Sequence, residues 1–91
     1  MLIFLFEVIV ASRARKSAKR LSEKLRRRIV EFLLFLRENP VPAEYYDVKK
    51  LGGYRDTYRA RIGDVRVVYE ILWDLKRVHV LAVERREQAY S

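Results

Sequence analysis

Apolar residues recur along this chain with two different periods, and the change of period separates helices from strands. Residues 6–10, Phe6-Glu7-Val8-Ile9-Val10, are apolar except for Glu7, which predicts one short buried strand. Ser12 then offers an N-cap for a first helix over 13–21, a basic segment of good helix formers whose apolar content is limited to Ala14, Ala18 and Leu21. Ser22 caps a second helix running to about residue 38. Asn39-Pro40 ends it, because the residue before a proline avoids the helical region. On the second helix Leu25, Ile29, Phe32, Leu33, Phe35 and Leu36 continue from Leu21 as one stripe at the helical period, which predicts the core-facing side. Val30 and Leu34 fall outside that stripe, one turn apart. Two readings of them stay open: they pack on the first helix, or they form a small exposed patch for a partner.

From residue 40 to 54 the pattern becomes irregular, with Pro42, Gly52 and Gly53 as punctuation and Lys49-Lys50 between them, and this predicts a surface loop. Beyond it the period shortens to two. Runs over 58–62, 65–73 and 77–83 read as strands, separated by two-residue breaks at Gly63-Asp64 and Asp74-Leu75 that predict tight hairpins. The expected fold is α+β: an N-terminal strand, a two-helix hairpin and then an antiparallel meander, giving a four-stranded antiparallel sheet with both helices on one face. Residues 1–91 are read as a single domain.

Alternation in Tyr58-Arg59-Ala60-Arg61-Ile62 sends Arg59 and Arg61 to the face away from the core. A two-residue turn at Gly63-Asp64 would then set Arg61 directly opposite Arg66, and Ala60 opposite Val67. Arg59 and Arg61 would stand roughly 6 to 7 Å apart along the strand, and Arg61 and Arg66 roughly 5 Å apart across it. Like charges in direct opposition destabilise a hairpin. Either this face is a solvated one whose arginines pair with nearby carboxylates such as Glu70, or the cluster meets a polyanion, for which the planar guanidinium fork is well suited. The chain closes on Arg85-Arg86 and Tyr90, in a tail that either frays or stacks its tyrosine on a base.

Composition narrows the function classes. The residues are 51% hydrophobic and 35% charged with three Gly and two Pro, which excludes collagen-like and low-complexity chains. No cysteine is present, so disulfides and thiolate metal sites are out, and a reducing compartment fits. His79, the only histidine, lies inside a strand run and reads as a packing residue. Paired-histidine acid–base chemistry is therefore not expected, and no metal-ligand constellation or cofactor site is visible. A net charge of +8 points to nucleic acid or an acidic protein as partner, whereas the charged surface of a heat-tolerant protein would be balanced in sign. The apolar run near the start is too short to span a membrane, and the positive charges at Arg13, Arg15 and Lys16 follow it where a signal peptide would place them before.

Taken together, Lys50-Leu51-Gly52, the Tyr-Arg-Ala-Arg-Ile-Gly-Asp-Val-Arg-Val-Val-Tyr-Glu run from Tyr58 to Glu70, and Arg86 followed four residues later by Tyr90 resemble the RelE/ParE toxin superfamily, its archaeal RelE branch most of all. The resemblance covers nearly the whole chain. It implies a cytoplasmic toxin that cleaves messenger RNA in the ribosomal decoding site, where the 2′-hydroxyl attacks its own neighbouring phosphate. It also implies a RelB-like antitoxin as partner, with operator DNA reached through the antitoxin complex, and no cofactor. Residue by residue, the family's basic strand positions match Arg59 and Arg61, with Lys49 and Lys50 as further RNA contacts. Its phosphate-stabilising arginine matches Arg66, its C-terminal general-acid arginine Arg86, with Arg85 as the neighbouring alternative, and its base-stacking tyrosine Tyr90. An acidic, amphipathic antitoxin segment is expected, with Val30 and Leu34 as apolar anchors.

The chain departs from the well-studied bacterial members, which carry lysines where Arg59 and Arg61 stand. An arginine essentially never deprotonates, so Arg61 can stabilise charge but not abstract a proton. The base is then Tyr90, Lys49, Lys50 or Glu70, or cleavage proceeds without a protein base by in-line positioning and charge stabilisation, the reading preferred here. Two other functions remain open at this point: a ParE-like inhibitor that binds gyrase, and a binding module that contacts antitoxin or nucleic acid without chemistry.

Overall fold

A computed structural model describes residues 5–52 and 56–85. Strand β1 (Glu7–Val10) leads through Ala11 into helix α1 (Ser12–Lys19), followed by helix α2 (Glu23–Leu36) and strands β2 (Asp47–Lys50), β3 (Thr57–Ile62), β4 (Val65–Leu72) and β5 (Arg77–Arg85). Ser22 caps α2 as its sequence predicts, its Oγ accepting the Leu25 N–H at 3.2 Å, an interaction worth about 1 kcal/mol. Ser12 does not cap α1. The N-cap is Ala11, which has extended backbone and no side-chain acceptor, so Ser12 becomes the first helical residue. The chain already leaves α2 at Arg37, ahead of the Asn39-Pro40 stop.

The sheet order is β1-β5-β4-β3-β2. This corrects the expected four-stranded antiparallel sheet in two respects. First, β1 pairs in parallel with β5, from Glu7 opposite Arg77 to Val10 opposite Val80. A parallel pair needs a long connection, and the helices and meander together supply it. Second, the segment read as a loop contributes an edge strand: β2 pairs antiparallel with β3, from Asp47 opposite Arg61 to Lys50 opposite Tyr58. Only Val48 among its four residues is apolar, so alternation could not announce it, and charges are what protect an exposed sheet edge from further pairing.

The β3–β4 hairpin has the expected register, Ile62 opposite Val65 and Arg61 opposite Arg66. Gly63 has φ +62, and Asp64 is not among the residues of positive φ, as in the two-residue turn whose first position favours glycine. The β4–β5 connection is longer than expected. Leu72 pairs with Arg77, enclosing a four-residue loop closed by Leu75 N–H to Leu72 O and Lys76 N–H to Trp73 O, both 3.2 Å, with Lys76 at φ 51.

Both helices cover the face that carries Ala60, Ile62, Val67, Tyr69 and Val80, all buried. Phe32 meets Tyr46 and Tyr69 edge-on at centroid distances of 4.8 and 5.9 Å. The buried Tyr69 hydroxyl donates to the Pro40 carbonyl at 2.8 Å, which ties the exit of α2 to the centre of the sheet. Burial first, and Tyr58 second, push the Tyr69 pKa upward, so the hydroxyl stays a donor. Arg59, Arg61 and Arg66 therefore occupy the face that the helices leave uncovered.

Candidate nucleic-acid interface

Alternation on β3 and β4, fixed by the turn at Gly63, builds the first layer of the interface. Across the sheet a row of four charges runs Asp47, Arg61, Arg66, Glu84, each residue directly opposite the next on the neighbouring strand. Beside it lies the row Lys49, Arg59, Val68, Ala82, and beyond that Thr57, Glu70 and His79. The opposition of Arg61 and Arg66 anticipated from the turn is thus present. Its electrostatic cost is moderated from both flanks by carboxylates that the sequence did not single out.

These carboxylates divide the arginines into different states. Arg59 is buried, its Nη1 donating to Asp47 Oδ1 at 3.0 Å and to the Asp47 carbonyl at 3.2 Å. It shares the outer face, as expected, but stands there as a fixed strut rather than an open cation. Arg66 is half-buried, with Nη2 only 3.5 Å from Glu84 Oε1, at the weak limit of a hydrogen bond, and its Nε buried without an acceptor among the described residues. Arg61 is exposed and has no ion pair among the described residues. The pair directly opposed across the hairpin is therefore the one with guanidinium donors to spare, and an oxyanion between them would satisfy both.

Of the other anticipated residues, Lys49 is exposed opposite Arg59 on the same face. Lys50 is opposite Tyr58, on the helix-covered side, with Asp56 at 3.7 Å, which removes it from the arginine row. Arg85, opposite Val65, likewise falls on the helix side, where it lines a hollow of about 40 Å³ with Ser17, Arg20, Leu21 and Val83. Arg86 and Tyr90 lie outside the described residues. Among the described residues Glu70 makes no ion pair with the arginines; the carboxylates that do, Asp47 and Glu84, were missed because one sits on the unforeseen edge strand and the other beyond a bulge. His79 shares Glu70's row, and its Nε2 is buried with no partner among the described residues.

Val30 and Leu34 are 54% and 56% exposed, so they do not pack on α1. They border a groove of about 560 Å³ between α2 and β1, lined also by Leu5, Phe6, Val8 and Leu33. Among the described residues no helix is long and apolar enough to cross a membrane, and no group of three or more His, Cys, Asp or Glu could hold a metal ion.

A sequence-family model described as the ParE toxin of the type II toxin–antitoxin system parDE matches residues 8–90. The chain belongs to the RelE/ParE family of toxins. Within that family, a protein designated toxin RelE1 from Methanocaldococcus jannaschii is 38% identical over 86 residues, which cover 94% of this chain and 96% of the relative. The archaeal RelE–RelB complex from Pyrococcus horikoshii contains a chain 37% identical that superposes with a TM-score of 0.83, covering 90% of this chain and 96% of the other. A chain of the Escherichia coli RelBE toxin–antitoxin complex, at 23% identity, shares the fold with a TM-score of 0.75 over 88% of this chain and 95% of its own. The mixed sheet with two helices on one face is thus the RelE fold, and this chain is a RelE-type toxin of a toxin–antitoxin system.

Proposed function

We propose that this RelE-type toxin is an endoribonuclease that cleaves messenger RNA in the decoding site of the ribosome, in the cytoplasm, and is held inactive by a RelB-like antitoxin. The observation that carries the reading is the pair Arg61 and Arg66, opposed across β3 and β4 on a face the helices leave uncovered, Arg61 exposed and Arg66 with its Nε buried without an acceptor among the described residues. Two planar cations held by a rigid hairpin form a clamp for a phosphodiester whose charge grows in the transition state. The 2′-oxygen forms a bond to phosphorus while the bond to the 5′-oxygen of the next nucleotide breaks, leaving a cyclic phosphate and a 5′-hydroxyl. The proton lost by the 2′-hydroxyl passes to water, and water returns one to the departing 5′-oxygen, whose developing negative charge Arg86 is assigned to stabilise, with Tyr90 stacking on a base. Arg59 braces the site through Asp47, and Lys49 contributes an exposed charge toward the RNA backbone.

The antitoxin reading is supported by the partners named in the P. horikoshii and E. coli complexes and by the apolar groove at Val30 and Leu34, which suits an amphipathic helix with acidic flanks. Operator DNA would be reached through that complex. A second reading, binding and inhibition of gyrase, is favoured by the ParE description of the matching family model. Purified toxin incubated with a defined message decides between them. Cleavage that requires ribosomes, with naked RNA left intact, is the expected outcome. No cleavage together with inhibition of gyrase supercoiling would replace this reading with the second.

A further inference from the structure

The excess charge of this toxin is not on the sheet. Residues 12–28, the helical hairpin of α1 and the start of α2, hold nine of the twenty Lys and Arg and one of the twelve Asp and Glu, a net of +8; the rest of the chain holds eleven of each. All nine cations are exposed, and within the hairpin Arg27 pairs with Glu23 at 2.7 Å. This concentration works against the fold. Lys24, Arg26 and Arg27 sit at the positive end of the α2 dipole, and Arg15–Lys19, Lys16–Arg20 and Lys24–Arg28 are like-charge neighbours one turn apart.

Nor is the hairpin remote from the arginine row. A Cβ at Gly63 would come within 3.1 Å of Arg28 Nη1, so the Arg28 guanidinium lies on the turn that joins Arg61 to Arg66. Arg20 and Arg85 share a hollow at the same end of the sheet. A cationic surface thus runs from the hairpin round the β3–β4 turn to the proposed clamp.

We infer that the helical hairpin is a separate docking surface that seats the toxin on double-helical RNA by its phosphate backbone. Residues 12–28 include no aromatic side chain on which an unpaired base could stack, and no Asn or Gln to read a base edge. What they offer is a dense array of cations along α1, about 12 Å long, and over the first turns of α2. Double-helical RNA is recognised mainly by backbone and shape, because its deep major groove does not admit side chains. The choice of RNA over DNA rests on the ribosomal reading above, the target there being an assembly of folded RNA. Docking and cleavage are then divided between two surfaces: the hairpin holds the toxin in place and the strand arginines act on the phosphate.

The test uses the full chain with Arg15→Gln, Lys16→Gln, Lys19→Gln and Lys24→Gln combined, at exposed helical positions that Gln suits. Binding to a 16-base-pair RNA duplex is measured across 50 to 300 mM salt. Loss of at least tenfold in affinity, with the slope of log Kd against log salt smaller by about 3 to 4, is expected. Ribosome-dependent cleavage should need more enzyme to saturate while keeping its saturated rate. Lys16→Gln with Lys24→Gln alone gives about half the change in slope, and unchanged circular dichroism melts confirm the fold of both variants. Unchanged duplex binding by the fourfold variant overturns the inference. So does tighter binding of single-stranded RNA or of a DNA duplex of equal length by the wild type, or a loss confined to polyglutamate competition, which would assign the surface to an acidic protein. Wild-type toxin that binds the duplex but never cleaves would sink the ribonuclease reading and leave the docking surface standing.

Discussion

Arg61→Gln is expected to make the protein more stable and less active at once. Arg61 is exposed, faces Arg66 directly across the hairpin and has no ion pair among the described residues, whereas Arg66 leans toward Glu84 at 3.5 Å. Two unit charges about 6 Å apart repel by roughly 0.7 kcal/mol at the dielectric of water. Asp47, opposite Arg61, offsets part of this but is itself committed to Arg59 at 3.0 Å. A gain of about 0.3 to 0.7 kcal/mol at low salt follows, within the range measured for cross-strand charge pairs. For a chain of this size that corresponds to a rise in Tm of roughly 1 to 5 °C. Differential scanning calorimetry in 20 mM and 500 mM salt provides the assay. The gain should shrink at the higher salt, where the Debye length falls well below its value of about 10 Å at 0.1 M. Cleavage on the ribosome should fall in the same variant. An Arg61→Gln protein that melts below the wild type in low salt, or whose gain is indifferent to salt, would refute the claim that this opposition is a cost retained for function.

Arg66→Ala should lower single-turnover cleavage by about 100- to 1,000-fold with folding intact, and Arg66→Lys should recover little, because an ammonium does not replace the planar fork. Val30→Ala with Leu34→Ala should weaken the complex with the antitoxin at least tenfold by titration calorimetry, since each half-exposed side chain would be fully covered there; unchanged affinity removes them from the interface. Tyr69→Phe leaves the Pro40 carbonyl without its donor and should cost about 1 to 2 kcal/mol in urea denaturation. Because the folded-state pKa of Tyr69 is raised above its ordinary value of 10.0, its contribution is complete below pH 10 and is lost as pH rises beyond it, so the wild type should lose more stability than Tyr69→Phe between pH 9 and 11.

The parts of the fold legible in the sequence are those where a period and a stop signal coincide. The α2 stripe from Leu25 to Leu36 with Ser22 before it, and the alternation about Gly63-Asp64, each fix an element, a face and a register together. Strand β2 carried neither signal: one apolar residue among three charged ones is what a sheet edge requires and what a loop also looks like. The parallel placement of β1 was hidden for a different reason. Five mostly apolar residues define a strand but not its neighbour, and pairing with β5 depends on contacts more than sixty residues away.

The least legible feature is the one that shapes the arginine row most. Strict alternation from Val78 and Val80 would continue the core face through Ala82 and Glu84, sending Val83 outward and a carboxylate inward. The register instead slips between Val68 and Tyr69, so that Val68 faces Ala82 while Tyr69 faces Val80, and Leu81 is left over at 38% exposure. Such a bulge inserts one residue and reverses the parity of everything after it. Val83 thereby joins the core at 5% exposure, and Glu84 turns to the outer face directly opposite Arg66. The position of a single surplus leucine thus decides whether Arg66 has a carboxylate beside it. That carboxylate is near enough to offset the opposition with Arg61, yet at 3.5 Å too distant to saturate the guanidinium, which is the condition a phosphate clamp needs: cations held together in the empty state, with donors still free for the anion they are to receive.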